Sequence, residues 1–240
     1  MLVVVGFLAL LFLVSFLLGS VPWGVIISRV FYHTDVREHG SGNIGTTNAM
    51  RTMGKVGGSA VFLLDFGKGV LSGLIAVFIA GCIVVDAAAA QEFCAATAIT
   101  GPTPDASAVQ VRVLQVCLSV AFLGCVLGHI FSPWLGFKGG KGIAVAIGCL
   151  FSTFGLVGFA LELLIFIVLV VATKYVSVGS IAAAVACPFF ALFFFLGNWV
   201  AIVACSIAAV TVIWAHRENI ARLRAGNENK IGSKKKASQE

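Results

Sequence analysis

Three polar segments of this chain carry residue types suited to holding concentrated negative charge. The first runs from His39 to Arg51, and it sets Ser41, Asn43, Thr46, Thr47 and Asn48 around Gly40, Gly42 and Gly45. Glycines let successive backbone N–H groups converge on an anion, and a guanidinium such as that of Arg51 is a planar fork matched to phosphate. The glycines formally read G-x-G-x-x-G, but that dinucleotide fingerprint requires a preceding strand in a βαβ unit. Here the preceding residues, Thr34-Asp35-Val36-Arg37-Glu38, are short and polar.

The second segment, Gly128 to Gly142, ends in Lys138-Gly139-Gly140-Lys141-Gly142 just before an apolar run. It is not a Walker A loop, because Gly136 stands one residue too close and Ile143 replaces the magnesium-holding Ser/Thr. At the head of a helix, Gly139, Gly140 and Lys141 still suit a phosphate. The third segment runs from His216 to Asn229. At helical spacing His216 and Asn219 share one face, with Arg217 beside them; Arg222 and Arg224 fit an interfacial helix. Two further groups extend the positive field and the polar lining. Lys68, spaced i, i+3 from Asp65, pairs locally with it, and Ser177 and Ser180 lie in the expected inner loop Tyr175–Ser180.

These segments interrupt an otherwise apolar chain. Of the 240 residues, 60% are hydrophobic and 11% charged; soluble domains run near 45–50% and about 25%. Together with a mean hydropathy of +1.06, this excludes a soluble enzyme, a disordered chain and a nucleic-acid-binding domain. The apolar runs are Leu2–Ile27, Val61–Val85, Val113–Leu127, Ile143–Phe154, Leu156–Ala172, Val178–Leu196 and Trp199–Trp214. Read as one helix, Ile143–Ala172 would be about 45 Å long, too long for a hydrocarbon core of about 30 Å, so a break is expected near Ser152–Gly155.

Charge parity agrees with the break. With seven spans and the N-terminus outside, the Arg29–Lys55 loop, Lys138/Lys141, Lys174 and the C-terminal tail all face the cytoplasm, as the positive-inside rule asks. Seven of the sixteen Lys and Arg lie between His216 and Glu240. The expected fold is therefore an all-α polytopic membrane protein with seven transmembrane helices, N-terminus outside and C-terminus cytoplasmic. It forms one domain over 1–240, with an extracytoplasmic loop at 86–110 and a basic cytoplasmic tail at 230–240. All three polar segments then meet the same inner face. Met1–Leu18 lacks the basic flank and cleavage site of a signal peptide and reads as part of a retained first span. The cysteines show no metal-site spacing. Cys82 and Cys94 flank the outer segment, where a bridge is one option, and Glu162 stands within an apolar run with no evident partner.

Gly19-Ser20-Val21-Pro22-Trp23-Gly24, then Ser41-Gly42-Asn43-x-Gly45-x-Thr47-Asn48-x-x-Arg51, then Gly128-His129 with Gly136-Phe137-Lys138-Gly139-Gly140-Lys141-Gly142, and finally His216-Arg217-x-Asn219-Ile220-x-Arg222-Leu223-x-x-Gly226-x-Glu228 occur in this order along nearly the whole chain. In these motifs the sequence resembles the bacterial membrane acyl-phosphate:glycerol-3-phosphate acyltransferases of the PlsY type. The resemblance implies transfer of a fatty acyl group from acyl phosphate to the 1-hydroxyl of glycerol 3-phosphate. The products would be 1-acylglycerol 3-phosphate (lysophosphatidic acid) and phosphate, in the first acylation of phospholipid synthesis. It implies no cofactor and no metal, and a place in the bacterial inner membrane with the site at the cytoplasmic face, in contact with membrane lipid. An enzyme that forms acyl phosphate would act before it and a second acyltransferase after it.

By motif position, Ser41, Lys141, His216 and Asn219 are the expected catalytic residues. Gly42, Asn43, Thr46, Thr47, Asn48, Arg51, Lys68, Gly139, Gly140, Ser180 and Arg217 are the expected substrate ligands. Which of them holds which phosphate stays open. The His-x4-Asp box of other acyltransferases is absent: the residues five after His33, His39, His129 and His216 are Glu38, Ile44, Trp134 and Ala221. The resemblance allows the donor's own phosphate to take the hydroxyl proton, with protein groups positioning it, and this route is preferred here to a histidine base. A phosphate transporter would instead place its binding groups mid-membrane between repeated halves, and a CDP-alcohol phosphotransferase would need an aspartate cluster for metal. Neither pattern occurs here.

Overall fold

The protein is seen in a computed structural model that describes residues 2–84, 90, 92–93 and 106–231. Cys94, the optional bridge partner of Cys82, and most of the outer loop lie outside the described residues. Among the described residues, all regular structure is helical: α1 (Leu2–Ser20), α2 (Trp23–Tyr32), α3 (Thr46–Val84), α4 (Ala106–Ile130), α5 (Ile143–Thr153), α6 (Gly155–Thr173), α7 (Val176–Phe194), α8 (Trp199–Ala215) and α9 (Arg217–Arg224), with short 3-10 turns at Val36–Glu38 and Pro133–Leu135.

Five helical stretches are long and apolar enough to cross a bilayer: Val4–Tyr32, Thr46–Val84, Ser107–Leu135, Gly155–Thr173 and Val176–Phe194. A sixth is added if α8 and α9, bent by 50° to each other, count as one. The expected seventh, α5, has 11 residues and reaches only about 16 Å, so length alone supports five or six of the seven. The break expected near Ser152–Gly155 is present: Phe154 ends α5 and Gly155 opens α6.

The apolar run Leu2–Ile27 is not one straight element. Pro22 has no N–H and disfavours a helical residue before it, and the chain breaks at Val21-Pro22 before α2 begins. The carbonyls of Gly19 and Val21 each accept from Lys68 Nζ at 2.8 Å. Lys68 also pairs with Asp65 at 2.9 Å, and both are almost fully buried. The expected local ion pair thus exists, and it clamps a helix break.

α4 is the central column, packed against α1, α3, α5 and α8. Close approach depends on small residues. A Cβ at Gly19 would stand 2.0 Å from Cys125 O, and one at Gly128 would stand 2.0 Å from Phe16 O. Such backbone contact is how helices gain packing where lipid removes the hydrophobic drive between them. The apolar core gathers Cys125, Val126, Val145, Cys149, Cys205 and Ala208 between α4, α5 and α8, so these cysteines act as small hydrophobes.

Candidate active site

The loop between α2 and α3 is built around one side chain. Asn48 is 1% exposed. Its Nδ2 lies 2.8 Å from Val36 O, 3.0 Å from His39 O and 2.9 Å from Asn43 O, while its Oδ1 accepts from Ser41 N at 2.8 Å. Gly40 is a glycine because its φ is +62° and a Cβ would stand 2.2 Å from Asn48 Oδ1. Asn43 Oδ1 accepts from Gly45 N at 2.9 Å, closing the turn that leads into α3. On the outer side Asp35 accepts from Arg29 at 2.8 Å and Arg37 at 2.7 Å. The Arg37 guanidinium holds the Asp35 carboxyl well below the usual carboxylate range.

The segment before α5 is folded differently. Gly139 N donates to Ile130 O at 3.0 Å and Gly140 N to His129 O at 3.1 Å, so these amides cap the carbonyl end of α4. A Cβ at Gly139 would stand 2.0 Å from His129 O, and one at Gly140 would stand 2.2 Å from His129 Nε2. The glycines are there for close approach to α4; further on, Gly142, Ile143 and Ala144 open α5 onto a cavity.

That cavity, of about 450 Å³, is where the three segments meet. Ser41, Asn43, Thr46, Thr47, Asn48 and Arg51 line it from the loop and α3, Lys141 from the segment before α5, Ser180 from α7, and His216 and Asn219 from the third segment. The first turns of α3, α5 and α7 all open onto it, through Thr46, Ile143 and Ser177. First-turn amides have no intrahelical acceptor, and each helix start carries partial positive charge. Thr46 Oγ1 is buried without a hydrogen-bond partner. Ser177 and Ser180, expected in a loop, sit instead on the opening turns of α7.

A polar chain crosses the mouth. Lys141 Nζ donates to Asn219 Oδ1. Asn219 Nδ2 donates to Glu228 Oε1 at 2.6 Å, and Arg222 Nε to Glu228 Oε2 at 2.7 Å. Burial pulls the Lys141 ammonium down to about 8, helped by the nearby Arg222. Burial raises the Glu228 carboxyl, but the bonds from Arg222 and Asn219 outweigh it and hold the group below its ordinary value. His216 Nδ1 lies 2.8 Å from Val212 O. A carbonyl partner assigns the N–H to Nδ1 and leaves Nε2 as an acceptor.

Five of the expected ligands are placed off this lining: Gly42, Lys68, Gly139, Gly140 and Arg217. Gly42 N closes a turn on His39 O at 3.0 Å. Lys68 is held by the carbonyls of Gly19 and Val21 and by Asp65, and Gly139 and Gly140 cap α4. Arg217 stacks on Trp214, its Cζ 4.1 Å from the ring centroid. Four ionisable residues that the sequence reading gave no ligand role do line the cavity: Asp65, His129, Arg222 and Glu228. His129, Arg222 and Glu228 stand in the motifs quoted above, and the i, i+3 spacing of Asn219 and Arg222 puts those two on one helix face.

The chain matches the family model described as glycerol-3-phosphate acyltransferase over residues 9–226. It is 36% identical over 235 residues to a glycerol-3-phosphate acyltransferase of Thermosynechococcus vestitus, covering 94% of this chain and 96% of that one. It is 35% identical over 224 residues to one of Listeria monocytogenes, covering 93% and 96%. Among solved structures it resembles the integral membrane glycerol 3-phosphate acyltransferase PlsY in its glycerol 3-phosphate form, with a TM-score of 0.72 and 31% identity over 94% of this chain and 96% of that one. The lysophosphatidic acid form of that protein gives 0.68 and 30%, over 94% and 95%.

Proposed function

This chain belongs to the glycerol-3-phosphate acyltransferase family of integral membrane enzymes, and we propose that it moves a fatty acyl group from acyl phosphate to the 1-hydroxyl of glycerol 3-phosphate. The products are 1-acylglycerol 3-phosphate and inorganic phosphate. The observation that carries this reading is the meeting of Ser41, Arg51, Lys141, His216 and Asn219 in one cavity. That cavity is cationic at its mouth and apolar deeper in, where Ile147, Phe159, Leu163 and Phe166 line it. Two phosphorylated substrates, one with a long tail, need both halves.

The chemistry follows from the donor. In acyl phosphate the carbonyl carbon is already activated, so the glycerol oxygen attacks it directly and the C–O bond to phosphate breaks. The proton leaving the hydroxyl goes to the departing phosphate. His216 Nε2, an acceptor, orients that hydroxyl, while Ser41, Asn219 and the first-turn amides of α3 polarise the acyl-phosphate head. Lys141, Arg51 and Ser180 hold the glycerol 3-phosphate head. Donors aimed at charge that develops in the transition state supply the largest share of such catalysis.

The topology proposed with it has seven spans, an outer N-terminus, a cytoplasmic site and an outer loop at 86–110. Its support is alternation: α3, α5 and α7 begin at the cavity, and α4 and α8 end at it through His129 and His216. α6 also returns there, where Lys174 O accepts from Ile231 N at 2.8 Å beside the cavity. Short α5 thus leaves the site face and α6 comes back to it. The setting is the bacterial inner membrane, after an enzyme that makes acyl phosphate and before a second acyltransferase.

The test is purified protein in lipid with acyl phosphate and glycerol 3-phosphate. Lysophosphatidate and phosphate should form in equal amounts without added metal; turnover with acyl-CoA but not acyl phosphate would overturn the donor.

A further inference from the structure

The apolar lobe beside the site holds one group that the reaction above does not use. Glu162, on α6, is 2% exposed, and neither of its carboxyl oxygens has a hydrogen-bond partner. It lines a pocket walled by Phe122 of α4, Ala146 and Leu150 of α5, Cys187 of α7 and Ala209 of α8. The one hydroxyl on that wall, Ser180 Oγ, donates to Val176 O at 2.9 Å. The pocket, of about 40 Å³, borders the substrate cavity, and Ile143, Ile147, Phe159, Leu163, Phe166 and Ser180 line both. A polar side chain buried in a membrane bundle without a partner is costly, and it marks function more often than structure.

Position narrows the function. Glu162 stands 12 residues before Lys174, the residue that follows α6 at its site end, and thus about 18 Å along the helix. Anything that reaches it from the phosphate-binding mouth must be long and largely apolar, which describes the donor's acyl chain.

We infer that this small pocket takes a short hydroxyl-bearing stretch of the acyl chain and that Glu162 makes the enzyme selective for chains bearing a hydroxyl there. The inference rests on the acyltransferase reading above. A site built to hydrogen-bond a hydroxyl discriminates strongly against the analogue that lacks it, because the plain chain leaves the site's polar group buried and unpaired. A plain hydrocarbon still fits, but it lies against an unsatisfied carboxyl group.

The experiment compares acyl phosphates of one length, plain or hydroxylated at successive distal carbons, in the wild-type protein, Glu162→Gln and Glu162→Leu. The ratio of kcat/KM for the best hydroxylated chain over the plain chain should be about tenfold or more in the wild type. It should survive within about threefold in Glu162→Gln and fall to about one in Glu162→Leu. Glycerol-3-phosphate-dependent phosphate release from the plain donor reports that each variant is folded. A ratio unchanged across all three proteins overturns the inference but leaves the acyltransferase reading intact, whereas no transfer from any acyl phosphate strikes that reading instead.

A second measurement decides the matter independently of donor and variant. A hydrophobic carbodiimide should label Glu162 in the wild-type protein in lipid. Distally hydroxylated 1-acylglycerol 3-phosphate should protect it at concentrations about tenfold lower than the plain lipid. Equal protection, or none, would mean that the pocket holds only water or lipid and contradicts the proposal.

Discussion

Two lysines of this protein sit near a carboxylate and a histidine, yet they do opposite work. Lys68 is buried off the cavity, pairs with Asp65 on the cavity wall and donates to the carbonyls of Gly19 and Val21. Lys141 stands at the cavity mouth, tied to Asn219 and through it to Glu228. The difference lies in the second partner. Backbone carbonyls of a broken helix cannot leave, so the Lys68 cluster is a staple. A side-chain amide can give way to a phosphate oxygen, so in the proposed reaction Lys141 is the lysine that meets substrate. Residue type and local spacing, which are similar for both, do not separate these roles.

The comparison is broken most forcefully at the staple. Lys68→Met leaves Asp65 buried and unpaired and strips the donor from two carbonyls, so it should destabilise the protein by about 3–5 kcal/mol. Thermal unfolding in detergent measures this, and adding Asp65→Leu should recover much of the loss. Stability unchanged in Lys68→Met would erase the distinction between the two lysines. Lys141→Ala should do the reverse. It should fold with a near-normal Tm but lose about 2.7–4 kcal/mol of transition-state stabilisation, roughly 10²–10³ in kcat/KM.

A smaller effect is expected at Asn48, which touches neither lysine. Asn48→Ala removes the bonds that shape the loop from Val36 to Asn48, at a cost of about 1–3 kcal/mol. It should raise KM more than it lowers Tm; the reverse pattern would make the loop a structural element only.

The smallest effect is the pH response. Burial lowers Lys141 to about 8, so the free enzyme keeps the charge below that pH and sheds it above. A bound phosphate favours the charged form, so KM for glycerol 3-phosphate should be flat below about 8 and climb as pH rises through it. Lys141→Arg should flatten the climb, since a guanidinium keeps its charge throughout. Burial penalises the ammonium within the fold, so the same shift makes the protein slightly more stable, not less, as Lys141 loses its proton.

Much of this was legible from the sequence because it depends on pattern. Apolar runs gave the helices, and the grouping of glycine, lysine and histidine into three segments gave the residues of the cavity mouth. The interior of each segment was less legible. Gly139 and Gly140 look like a phosphate cradle, but they cap α4, because close approach of backbone to His129 also demands glycine. Asn48 looks like a ligand and lines the cavity, yet its amide is engaged by loop carbonyls. The break at Pro22 is a local effect of proline, but its clamp by Lys68 depends on a contact 49 residues apart, which no local window contains. Arg222 and Glu228 enter the site only because α9 bends by 50° from α8.

The central claim is that chain segments far apart in sequence form one phosphate-binding cavity with Lys141 at its mouth. A structure of this protein with glycerol 3-phosphate bound tests it most directly. The account predicts the phosphate within hydrogen-bond reach of Lys141 Nζ and of amides in the opening turns of α3 or α5, with the Lys141–Asn219 bond broken or shared. A phosphate bound elsewhere, with Lys141 still closed on Asn219, would contradict it.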